Sequence, residues 1–183
     1  MLCYKTINLK PKPLRVTNLS VNELIQQLSK KLEPLFSTAD QPIIVGIETG
    51  GYLIAESLYK NLQPETELGK LNITFYRDDF TKTGLHPTVK PSSLPTNIDG
   101  KTIILVDDVL YSGRTVRAAM NELFDFGRPD KILLAILIDR GGRELPIQAD
   151  FVAQTIELED NEQIKLEGSE SLSLSIYKNN SAL

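Results

Sequence analysis

Short apolar runs rich in β-branched residues alternate along this chain with segments of helical period, and that alternation restricts what it can fold into. The run Ile43-Ile44-Val45-Gly46-Ile47, preceded by Pro42, has no polar face, so a strand built from it must be covered on both sides. Double coverage is the condition of a parallel strand, and parallel strands need crossover connections, usually helices. Val21, Leu24, Ile25, Leu28 and Leu32 form a stripe of 3.6 period, with Ser20 ahead as cap and Glu23 in capping-box position. After the strand over residues 42–47, the chain runs through Glu48, Thr49, Gly50 and Gly51 into a second helix, with Leu53, Ile54, Leu58 and Tyr59 as its packing face. An α/β fold follows, with a mainly parallel sheet flanked by helices.

Residues 71–76 alternate as a third strand. The stretch 77–100 carries Gly84, Pro87, Pro91, Pro95 and many hydroxyl residues, and is expected to be a long mobile loop. Loops of that length inside a compact domain tend to be lids or binding segments. Residues 102–106 form a buried strand ending in Asp107 and Asp108. A helix over 114–126 stops at Gly127, expected in the left-handed conformation, with Pro129 beyond. Residues 132–138 give a fourth buried strand, and the last thirty alternate weakly around Ile164, Leu166, Leu172, Leu174 and Ile176 as a small antiparallel appendage. With 183 residues, 41% of them apolar, and no repeat or linker, residues 1–183 are expected to form one domain.

Composition removes several function classes. The formal net charge is −4, so no overall field favours polyanions. Cys3 is the single cysteine and His86 the single histidine, too few for an internal disulfide or a four-ligand zinc site. The longest apolar stretch is far shorter than the ~18 residues of a membrane span, and residues 1–15 carry Pro11, Pro13 and scattered lysines instead of a secretory core. A cytoplasmic protein without membrane contact is expected. Cys3 is assigned no role, and His86 either approaches substrate from the loop or faces solvent.

The chemistry concentrates in residues 103–115, Ile-Ile-Leu-Val-Asp-Asp-Val-Leu-Tyr-Ser-Gly-Arg-Thr. A strand end opening into a helix N-terminus is where open α/β sheets bind ligands, and the free N–H groups there suit a phosphate. Ser112, Gly113, Arg114 and Thr115 would form that cradle: glycine for close backbone approach, hydroxyls as donors, and arginine as a permanent cation. Carboxylates repel phosphate, so Asp107 and Asp108 are better placed to accept hydrogen bonds from sugar hydroxyls or to hold a hard cation through water. Together these residues describe a phosphorylated ribose. Gly100-Lys101-Thr102 ends like a P-loop, but Pro95 stands where the first glycine is required and the triplet precedes its strand. No Gly-x-Gly-x-x-Gly follows a strand, so a dinucleotide fold has no support.

This thirteen-residue run resembles the phosphoribosyl-diphosphate (PRPP) signature of type I phosphoribosyltransferases. The resemblance extends to the PyrR family of pyrimidine-operon regulators with uracil phosphoribosyltransferase activity. It is carried by Gly46-Ile47 with Thr49 and Gly51, by Ile73-Thr74 with Tyr76-Arg77-Asp78-Asp79, by residues 104–117, by Gly127-Arg128-Pro129, and by Asp139-Arg140-Gly141 followed by Arg143-Glu144-Leu145-Pro146-Ile147. The blocks cover residues 43–152 in the right order.

The resemblance implies a type I phosphoribosyltransferase fold with a small hood and a mobile loop, and conversion of uracil and PRPP to UMP and diphosphate with Mg²⁺. Asp107, Asp108 and Arg77 would be the catalytic residues, with the two aspartates touching the metal indirectly through PRPP and water. Val109, Leu110, Tyr111, Ser112, Gly113, Arg114 and Thr115 would bind PRPP, and Thr49, Gly50 and Gly51 its diphosphate. The family usually has arginine where this chain has Gly50. Arg77 would meet the diphosphate on loop closure, or else pair with Asp78 or Asp79 at the surface. Asp139, Arg140 and Gly141 would read the base, or Asp139 and Arg140 would form a structural pair. Purine-salvage relatives place an aspartate at the position of Tyr111. A phenol of pKa ~10 does not replace it as a base at neutral pH, which favours a pyrimidine.

The alternative implied by the resemblance is a nucleotide-sensing, RNA-binding attenuator with little turnover. Here Gln26 and Ser29 stand in the first helix where the regulators resemble arginine and histidine, and Gly142 and Gln148 stand where a histidine and an arginine are expected. Each lost cation removes a possible phosphate contact, so RNA affinity is expected to be weak or absent. Lys5, Lys10, Lys12 and Arg15 form either a basic arm or a solvated terminus. The family also implies a homodimer or higher homo-oligomer.

Overall fold

The computed structural model describes residues 15–16, 20–73, 91–95, 97–159, 161–168 and 171–178. The elements in order are β1 (Arg15–Val16), α1 (Val21–Leu32), a 3₁₀ turn (Glu33–Phe36), β2 (Ile43–Ile47), α2 (Gly50–Leu62), β3 (Gly69–Leu71), β4 (Thr102–Leu110), α3 (Arg114–Phe126), β5 (Lys131–Asp139), β6 (Phe151–Thr155), β7 (Glu162–Glu167) and β8 (Ser173–Lys178).

Five strands make a wholly parallel sheet in the order β3-β2-β4-β5-β6, and a second, antiparallel sheet has the order β1-β8-β7. Along the central strands alternate residues serve opposite faces. Ile44, Ile104 and Val106 pack with α1, α2 and the small sheet, whereas Ile43, Val45, Ile103 and Leu105 pack with α3 on the other face. Uninterrupted apolar runs therefore mark double coverage, as the sequence indicates. The stripe of α1 is buried as expected, and Ser20 Oγ accepts from Glu23 N at 3.4 Å. Ile164, Leu174 and Ile176 of the small sheet belong to the same core as α1 and α2, which sets this sheet over the C-terminal ends of the large one as a hood.

Three expectations change. Strand β4 runs on through Asp107 to Leu110, because β5 continues the ladder beside it to Asp139, so the two acids lie within the strand and the turn begins at Tyr111. The third strand is at Gly69–Leu71; of the expected 71–76, residues 74–76 lie outside the described residues. Gly127 is extended, with φ 164, and an ideal Cβ there would fall 2.7 Å from Asp99 Oδ1, so close packing rather than left-handed geometry explains the glycine. Strand β6 carries a short, half-buried pattern that periodicity did not reveal. Of the expected loop 77–100, residues 91–95 are described, and Ser93 exchanges two backbone hydrogen bonds with Lys70.

Candidate active site

The strand order reverses between β2 and β4, whose onward connections lead to opposite flanks and leave a crevice at their C-terminal ends. A cleft of about 450 Å³ opens there. From the large sheet and α2 it is lined by Glu48, Thr49, Gly50, Leu53, Asp107, Asp108 and Val109, from α3 by Thr115, and from the hood by Ile164, Lys165, Leu166 and Gly168.

The floor is tight. An ideal Cβ on Gly50 would fall 2.5 Å from Asp108 Cγ, and one on Gly51 2.5 Å from Val106 O. At Gly51, where the contact is with backbone, only glycine lets the first turn of α2 lie directly against β4. The Glu48–Thr49 peptide bond is cis. Asp107 is buried, and its Oδ1 accepts from Asp108 N at 3.0 Å; Asp108 is half-buried and makes no ion pair with a described residue. Glu48 Oε1 lies 3.8 Å from Lys70 Nζ, which also stands 5.3 Å from the centroid of the Tyr52 ring. Burial, followed by the charges of Glu56 and Glu48, pushes the Tyr52 phenol above its ordinary pKa.

Of the residues expected to bind PRPP or its diphosphate, the cleft brings together Thr49, Gly50, Asp107, Asp108, Val109 and Thr115. Gly51 and Leu110 are buried, and Tyr111, Ser112, Gly113 and Arg114 form the turn into α3. Gly113 has φ 90, and Ser112 Oγ accepts from Arg114 N at 3.3 Å. The Arg114 side chain turns to Glu144, Nε to Oε2 at 2.7 Å, so its charge is shared with a carboxylate instead of being committed to the cradle.

A second segment holds this turn in place. Ser112 O accepts from Glu144 N and Leu145 N, at 3.0 and 3.1 Å. Arg143 donates to Tyr111 O at 2.9 Å, Ile147 O at 3.0 Å and Asp139 Oδ2 at 2.5 Å. Asp139 therefore pairs with Arg143, not with Arg140. Arg140 lies 4.2 Å from the Tyr111 ring centroid and donates to the hood at Glu162 O, 2.9 Å away. Asp139 and Gly141 border a different, open groove of about 590 Å³, with Leu145, Pro146 and Ile147. Arg77, His86 and Cys3 lie outside the described residues.

Sequence reasoning missed the hood wall of the cleft. Strand β7 is more than forty residues from the motif and only weakly alternating, so nothing local signalled that it would face Asp107 and Asp108. Chemically, the cleft sets two adjacent carboxylates between the N-termini of α2 and α3, whose first-turn N–H groups lack intrahelical partners. That arrangement suits a polyol bearing anionic groups at both ends.

The phosphoribosyl transferase domain family matches residues 16–171. The chain is 48% identical over 170 residues to the bifunctional protein PyrR of Nitrosococcus oceani, covering 91% of this chain and 94% of that one. It is 56% identical over 135 residues to the bifunctional protein PyrR of Pseudomonas paraeruginosa, covering 74% and 79%. Among solved structures, a hypoxanthine phosphoribosyltransferase from Staphylococcus aureus superposes with a TM-score of 0.65 at 18% identity over 93% of this chain and 94% of that one. The same enzyme from Trypanosoma cruzi gives 0.64 at 14% over 92% and 97%. The fold is that of a type I phosphoribosyltransferase. The chain belongs to the PyrR family.

Proposed function

We propose that this protein transfers the 5-phosphoribosyl group of PRPP to uracil, forming UMP and releasing diphosphate. The observation that carries the reading is the pair Asp107 and Asp108 in a cleft bounded by the first turns of α2 and α3. Asp108, half-buried and without an ion-pair partner among the described residues, accepts hydrogen bonds from the ribose hydroxyls. The carboxylates also place negative charge beside a sugar carbon that becomes cationic as the bond to diphosphate breaks. Thr49, Gly50, Gly51 and the N–H groups of α2 receive the diphosphate, and Ser112 to Thr115 receive the 5′-phosphate. Tyr111, backed by Arg140, and the end of β5 at Asp139 to Gly141 form the side from which uracil approaches.

Mg²⁺ fits this donor set in one particular way. No cluster of three or more metal-ligating side chains exists among the described residues, so Asp107 and Asp108 would hold the ion through water and substrate oxygens. When bound, it neutralises charge on the departing diphosphate. The test is to supply PRPP, Mg²⁺ and free bases and measure nucleotide. UMP formation is expected, and no nucleotide from any pyrimidine base sinks the reading.

The relatives' name, bifunctional, favours a second role beside transfer, for which the family resemblance implies RNA-binding regulation. Against strong RNA binding, Arg143 and Arg114 are engaged by Asp139 and Glu144. Filter binding of hairpin RNA with and without UMP is expected to give weak or no retention at physiological salt; tight, nucleotide-dependent retention would make regulation the primary role.

A further inference from the structure

The cleft walls carry three carboxylates, Glu48, Asp107 and Asp108, and among the described lining residues a single basic side chain, Lys165. A site meant for a polyphosphate has to offset that excess of negative charge. Loop residues 48–51 supply no cation, since they read Glu-Thr-Gly-Gly, and the space beside Gly50 is filled by the Asp108 carboxylate. Lys70, on β3 of the large sheet, is already turned to Glu48 and Tyr52. Arg114 is paired with Glu144.

Lys165 is placed differently. It sits in the middle of β7, an edge strand of the hood sheet among the described residues, and is part of the cleft's hood lining. It has no carboxylate partner among the described residues; its Nζ stands 5.8 Å from the Tyr177 ring centroid. Tyr177 is fixed in turn, its hydroxyl donating to Glu167 Oε1 at 2.7 Å. An ammonium resting near an aromatic face, at the end of a four-carbon stem, can turn to a stronger anion at little cost. The cleft contains all of Glu48, Thr49 and Gly50 but only Thr115 of the expected 5′-phosphate cradle, so the anion that shares the cleft with Lys165 is the one at the α2 end.

We infer that Lys165 binds the diphosphate group of PRPP from the hood, supplying the positive charge that loop 48–51 lacks. This assignment rests on the reading of the cleft as a PRPP site, but not on uracil being the acceptor. Calorimetric titration of the full chain with Mg²⁺ and PRPP, and separately with UMP, tests it without turnover. Lys165→Met is expected to weaken PRPP about tenfold or more while leaving UMP, which has no diphosphate, within about twofold. Lys165→Arg should recover most of the loss, and Lys178→Met, a change of the same kind on β8 of the hood, should have no effect. PRPP affinity unchanged in Lys165→Met, or PRPP and UMP weakened equally, overturns the inference. If PRPP binds and responds as expected but no base accepts ribose, the inference stands and the uracil transferase reading fails. If wild type binds neither ligand, both fall.

Discussion

Gly50 and Asp108 occupy one volume between them: an ideal Cβ on the glycine would lie 2.5 Å from the Cγ of the aspartate. The absence of a side chain at position 50 is therefore matched to the position of a carboxylate in the cleft, and a larger residue cannot be restored without moving that carboxylate. Gly50→Ala should swing Asp108 aside. The moved group is the end of an accessible side chain, and alanine favours the helix by up to about 1 kcal/mol, so Tm should stay within a few degrees. PRPP affinity measured by calorimetry should fall about tenfold. A variant that binds PRPP as wild type does would show that Asp108 need not be where it is.

Asp107 and Asp108 are neighbours with separable tasks. Both line the cleft, but Asp107 is buried and accepts from the N–H of Asp108, whereas Asp108 is half-buried and the more exposed of the two. Asp107→Ala removes a buried acceptor and should destabilise the fold by about 1–3 kcal/mol in a denaturant titration. Asp108→Ala should leave stability within about 0.5 kcal/mol and reduce kcat/KM by about a hundredfold or more. The opposite assignment of the two effects would reverse the roles.

Much of this was legible in the sequence because parallel strands buried on both faces leave uninterrupted apolar runs, and β2, β4 and β5 all do so. The helix stripe of α1 and the strand-to-helix turn near Gly113 were equally local signals. What was not legible depended on partners far along the chain. Whether β4 stops at Val106 or runs to Leu110 is decided by pairing with β5, not by the acids themselves. The engagement of Arg114 by Glu144, thirty residues away, has no periodic signature. The hood wall around Lys165 arises from tertiary packing of weakly patterned strands. Local chemistry thus located the acids and the turn, while topology alone assembled the opposite wall.

Arg143 ties the end of β5 to the turn after β4 through Asp139 and the carbonyl oxygens of Tyr111 and Ile147. Both members of its ion pair are mostly buried. Arg143→Ala leaves the Asp139 carboxylate without its cation and frees the turn, so a loss of about 2 kcal/mol is expected, seen as a Tm lower by roughly 4–8 °C. Arg143→Lys should recover only part of it, since lysine lacks the fork that spans several acceptors. A wild-type Tm in Arg143→Ala would mean that the clamp does not hold the turn.

Stability at high pH should depend on two phenols. Burial, then the charge and hydrogen bond of Glu56 and the charge of Glu48, raises Tyr52, and the hydrogen bond to Glu167 raises Tyr177. A folded-state pKa above the unfolded value of ~10 means that the folded chain holds these protons more tightly. Their contribution is complete below pH ~10 and disappears as pH rises through the folded values, because ionisation then sets phenolate against carboxylate. The double variant Tyr52→Phe, Tyr177→Phe removes both protons from the balance. Its unfolding free energy should therefore fall less steeply than that of wild type between about pH 9 and 11 in parallel denaturant titrations, even if its stability at neutral pH is lower. Lysine deprotonation affects both proteins alike, so the difference in slope isolates the phenols, and equal slopes would remove them as the cause.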